Sequence, residues 1–122
     1  MPHARLFFDP GSGGVLWPSG PQDQQTFGYP ASLAALPISA ALRDELARLV
    51  EWYDTSLNWD CPPDPGPWRE PECRAFNAAV RRAFDQLHVE LGDRWIIAND
   101  FQEVYEDPDL DRYLAGPVDF RR

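Results

Sequence analysis

The groups in this chain that could do chemistry are two cysteines, two histidines and twenty carboxylates. Cys61 and Cys73 stand apart from any second cysteine pair, and with His3 and His88 they do not complete a zinc pattern. A nucleophilic thiolate needs a base beside it. The available bases are His3, close to the N-terminus, and His88. At 100° per residue His88 projects about 70° from the centre of the apolar stripe of its helix. An ordinary hydrogen-bonded histidine at a boundary is the simpler reading there. Asp107, Asp109 and Asp111 are spaced like the opening of a calcium loop, but Arg112 occupies the position that needs glycine and Val118 the one that needs glutamate. The glycines from Gly11 to Gly14 lack the Lys-Ser/Thr of a phosphate loop, and no G-x-S-x-G elbow is present. These residues predict no catalytic group, no metal site and no cofactor. A small enzyme built on His88 or Cys61 is the alternative.

The elements that would position these groups follow from periodicity and punctuation. Arg5 to Asp9 reads as a short strand stopped by Pro10 and the glycine cluster, and Val15 to Trp17 as its hairpin return. Pro18 to Pro37 is rich in Pro, Gly, Gln and Ser, an irregular stretch anchored by Phe27, Tyr29, Leu33 and Leu36. Ser39 caps a first helix whose stripe is Leu42, Leu46, Leu49, Val50, Tyr53 and Leu57. Trp52 projects about 120° from that stripe, to its margin or beyond it. Asp60 to Pro71 holds five prolines and reads as a stiff connection. A second helix from about Glu72 to Leu91 ends at Gly92, with Cys73 on its apolar face as a small hydrophobe. Trp95 to Ala98 is a last strand, and Leu110 to Leu114 a helical turn. The order β, β, α, α, β predicts an α+β fold. Its small antiparallel sheet would have three or four strands, with two helices packed on one face. With 122 residues the chain is expected to form one domain, residues 1–122.

Composition narrows the function classes. The formal net charge is −9, and all eleven basic residues are arginines. That charge disfavours direct contact with nucleic acid or with an anionic membrane surface, and favours a basic protein partner. The N-terminus lacks the pattern of a signal peptide and no apolar run is long enough to span a bilayer, so a cytoplasmic location is expected. The acids are unevenly placed. Between Arg94 and Arg112 there is no base, and Asp100, Glu103, Glu106, Asp107, Asp109 and Asp111 fall there with Phe101 and Tyr105 among them. A second base-free stretch runs from Glu51 through Asp54 and Asp60 to Asp64, beside Trp52, Tyr53, Trp59 and Trp68. Tryptophan and tyrosine often dominate protein interfaces. The residues expected to bind a partner are therefore Trp52, Trp59, Asp60, Trp68, Asp100, Glu103, Tyr105, Glu106 and Asp107.

Several short strings appear in order along the chain: Leu16-Trp17, Leu36-Pro37-Ile38-Ser39, Tyr53-Asp54 followed by Leu57-Asn58-Trp59-Asp60, and Glu90-Leu91-Gly92. Together they resemble a group of small, uncharacterised acidic proteins from high-GC bacteria. In general character the chain is also similar to immunity proteins, which neutralise a toxin by covering its active face. The resemblance transfers no functional residue. The expected function is an acidic protein-binding module, an immunity or antitoxin-type inhibitor that covers a basic partner. A nucleic-acid mimic with carboxylates spaced like phosphates is a further alternative.

Overall fold

A computed structural model describes all 122 residues. Strand β1 (His3–Leu6) is central, flanked by β2 (Leu16–Pro18) and β3 (Ile96–Asn99). Ala4 and Leu6 face the core while His3 and Arg5 face solvent, the period-2 alternation of a one-sided sheet. β1 and β2 are antiparallel, as a hairpin requires, with Leu6 opposite Leu16. The α+β class holds, but the sheet is mixed: β3 runs parallel to β1, with Ala4 opposite Ile97. No local turn sets its direction, because β3 is reached through a helix pair.

That pair is α2 (Ala40–Asp54) and α3 (Glu70–Leu91). The helices are antiparallel. Glu90, near the end of α3, accepts hydrogen bonds from the backbone N–H and hydroxyl of Ser39 at the start of α2. At the other end, Trp52 Nε1 donates to Glu72 at 2.9 Å. Ser39 also caps α2 by accepting from the Leu42 N–H. Pro71 sits in the first turn of α3, where a missing N–H costs nothing.

The core lies between the sheet and this pair. Phe76 is its centre, fully buried, with Phe8, Trp52, Tyr53, Trp68 and Phe101 around it at ring-centroid distances of 5.0–6.0 Å. Cys73 is buried in the same cluster. The stretch from Pro18 to Pro37 is more ordered than its composition predicts. It contains the short helix α1 (Pro21–Phe27) and a 3-10 turn (Leu33–Ala35). Phe27 packs on Trp95, and Arg43 of α2 donates to the carbonyls of Leu33 and Ile38. A last short helix, α4 (Leu110–Ala115), follows the extended segment after β3. No helix is long and apolar enough to cross a membrane.

Candidate functional site

The loop between α2 and α3 is built to hold one aromatic ring at the surface. Asn58 organises it: its Nδ2 donates to the Pro65 carbonyl and to the Tyr113 hydroxyl, and its Oδ1 accepts from the Cys61 N–H. Gly66 lets the loop close, because a Cβ there would stand 2.0 Å from the Ser56 carbonyl oxygen. Trp59 is 57% exposed but fixed at both ends. Its Nε1 donates to the Asp54 carbonyl at 2.7 Å, and its ring edge packs against Gly11, which has φ +80°. The Gly11 N–H in turn donates to the Asp54 carboxylate. Next to Trp59 a cleft of about 280 Å³ opens between Asp60, Pro65, Leu110, Tyr113 and Leu114. Leu114 is itself exposed.

The two base-free acidic stretches fare differently. From Asp100 to Asp111 the chain lies along α3, and every one of its acids is matched by an arginine from elsewhere. Asp100 pairs with Arg5, Glu103 with Arg81 at 2.8 Å, and Glu106 and Asp111 with Arg69. Asp107 and Asp109 pair with Arg122, which also donates to the Pro63 carbonyl. Two reciprocal contacts pin the backbone as well. Buried Asn77 donates to the Val104 carbonyl and accepts from the Val104 N–H, both at 2.9 Å. Glu70 and Glu106 each accept from the other's backbone N–H. The Asp107 carboxyl is held below its ordinary value by the hydrogen bond from Arg122, assisted by the Asp109 N–H. A charge pattern that copies a phosphate backbone would need these carboxylates free.

In the other stretch, Glu51, Asp54, Asp60 and Asp64 have no arginine within 4.0 Å. Of the two stretches, it is this one, at the end of α2 and in the loop that carries Trp59, whose carboxylates have no arginine partner.

The aromatic residues separate as well. Tyr105 is 72% exposed, on the paired segment. Trp68 is only 5% exposed: it packs on Phe76 and Trp52 and its Nε1 donates to the Thr55 hydroxyl. Trp68, expected from its sequence neighbours to touch a partner, sits in the core and offers little surface for one. Trp52 is half-buried between Trp68 and Phe76, with the Arg48 guanidinium over its ring, so little of it faces outward. Cys61 is exposed, yet its thiol is pushed up by hydrogen bonding to Asp64, the reverse of an activated thiolate. His88 is exposed on α3 with its ring against Phe84. Sequence reasoning missed Asn77 and the cleft wall at Tyr113 and Leu114. The signals were a polar residue inside an apolar stripe, and an apolar pair on a short terminal helix.

Residues 9–100 match the family described as Serratia CdiI immunity protein-like. The chain belongs to that family. The match spans about three-quarters of the chain and includes all of α2, α3 and the loop between them. Within this CdiI-like part lie Trp52, Trp59, Asp60, Trp68 and Asp100, while Glu103, Tyr105, Glu106 and Asp107 follow it. Comparison with curated proteins gives no match.

Proposed function

We propose that this chain is an immunity protein that neutralises a toxin by docking on it with the surface around Trp59. Membership of a CdiI-like immunity family supports inhibition by binding over catalysis. The observation that carries the choice of surface is the contrast between the two acidic stretches. In one, every acid meets an arginine, and in the other, from Glu51 to Asp64, none does, and this stretch runs into the loop that holds a rigid exposed tryptophan. A fixed aromatic loses little entropy on binding, and free carboxylates around it attract a basic face and speed encounter. The cleft beside Trp59 suits an apolar or arginine side chain from the partner. The partner is thus a toxin with a basic patch that carries such an anchor.

Co-expression with candidate toxins, the products of neighbouring genes first, gives the test. Wild-type chain is expected to restore growth and to co-purify with the toxin. Trp59→Ala and the double change Asp60→Arg, Asp64→Arg are expected to lose both while keeping the fold, since all three side chains are solvent-facing or partly so. Full protection by the charge-reversed variant would contradict the docking surface. Absence of any toxin that co-purifies with the wild-type chain would contradict the immunity role.

A further inference from the structure

The sheet has one closed edge and one open edge. On the β2 side, the Leu16 carbonyl accepts from the Ala31 N–H, and β2 ends at Pro18, which has no donor. On the β3 side, the Ile96 N–H donates to the Pro2 carbonyl and the Asp100 N–H to the Leu6 carbonyl. Backbone groups alternate sides along a strand, so Ile97 and Asn99 direct their N–H and C=O away from β1. No backbone or side-chain partner meets them there. Edge strands are usually blunted by charge, proline or a bulge. β3 reads Ile-Ile-Ala-Asn, with none of these, and Ile96 is 50% exposed on the solvent face.

The residues flanking this edge are self-complementary. When β3 meets a second β3 antiparallel about a two-fold axis at Ile97, Ile97 faces its own copy with both N–H and C=O groups turned inward. Asn99 then lies opposite Trp95 and Ile96 opposite Ala98, and Arg94, the last residue of the 3-10 turn that leads into β3, comes next to Asp100 of the other copy. The shift that centres on Ile96 and Ile97 turns paired groups outward, and centring on Ala98 sets Asp93 against Glu103. Only the Ile97-centred register joins outward-facing backbone groups and opposite charges at once. Arg94 has no carboxylate partner within its own chain and donates only to the Glu90 carbonyl. Asp100 holds Arg5 from one side and remains partly exposed for a second guanidinium.

We propose that β3 pairs with β3 of a second copy of this chain, centred on Ile97, to form a continuous six-stranded sheet. This is independent of which toxin the chain binds, because β3 and the Trp59 loop involve different residues.

Sedimentation velocity over a range of protein concentration reads the pairing, together with hydrogen exchange at the Ile97 and Asn99 amides. A rise in mass from 13.9 kDa towards twice that value is expected, with both amides slowing over the same concentration range. Arg94→Asp and Asp100→Arg should each weaken self-association about tenfold, because two cross-strand attractions become repulsions. Mixed together, the two variants should associate as well as wild type, since each then meets its opposite charge. Ile96→Asp, on the exposed face, should weaken dimerisation while leaving the melting temperature at concentrations too low for the dimer unchanged, and so separates pairing from folding. A chain that stays monomeric, or a dimer indifferent to all three changes, would overturn the pairing. Protection of Ile97 and Asn99 only when toxin is added would assign the edge to the toxin and equally overturn it.

Discussion

Asn77 stands between Cys73 and Val80 on the apolar stripe of α3, buried, with both ends of its amide joined to the backbone of Val104. It acts as a strand would, offering one donor and one acceptor to an extended segment that has no strand beside it. Removing it leaves two backbone groups without partners, each worth about 1–3 kcal/mol when water cannot replace them. Val104 is partly exposed, so Asn77→Ala is expected to cost about 2 kcal/mol in urea unfolding, with faster hydrogen exchange at the Val104 amide. Trp68 and Trp59 show what residue type alone conveys. Both were legible as aromatics beside an acidic loop, and burial separates them. Trp68→Ala should destabilise by about 3–5 kcal/mol as a core truncation. Trp59→Ala should leave the melting temperature nearly unchanged. Composition cannot tell these two apart, because what differs is which ring Phe76 reaches.

Both long helices were legible in the sequence because their apolar stripes and their caps agree: Ser39 starts one and Gly92 ends the other. The hairpin β1–β2 was legible for the same reason, as two apolar runs around a glycine turn. The direction of β3 was not, since its pairing with β1 joins residues more than ninety apart in the chain and no turn rule reaches that far. The partners of the acidic segment were equally hidden, because Arg5, Arg69, Arg81 and Arg122 come from four different places. At this scale the acid response is informative. The carboxyls of Asp107 and Glu90 both lie below their ordinary values, Asp107 through Arg122 and Glu90 through Gln86 and then Ser39. A group depressed on folding contributes stability that is present above its unfolded value and is lost as pH falls through the folded value. The ordinary values are 3.8 and 4.5. The C-terminal strap and the α2–α3 clasp should therefore hold at pH 5 and loosen only below about pH 4. Tryptophan fluorescence during acid titration checks this, and Asp107→Asn should flatten the response. The effect should be small, because these pairs are exposed and screened.

Across the whole molecule, the net charge of −9 is less important than where it is left uncompensated. Four arginines contact the six acids of the segment after β3 and tie it to the rest of the fold, which turns an acidic tail into a strap. Glu51, Asp54, Asp60 and Asp64, at the end of α2 and in the loop after it, have no arginine partner, and that loop carries a tryptophan that the fold fixes in place at the surface. Long-range attraction depends on charge, so under the proposed docking association with the toxin should slow as salt rises, while the dissociation rate changes little. Isothermal titration of the toxin against two variants tests the central claim most directly. One variant is Trp59→Ala, on the free acidic loop, and the other is Glu103→Gln, on the strap. Trp59→Ala is expected to weaken binding by about 2 kcal/mol, roughly thirtyfold in Kd, with Glu103→Gln within twofold of wild type. Equal affinity for Trp59→Ala and wild type, or a larger loss from Glu103→Gln, would contradict it.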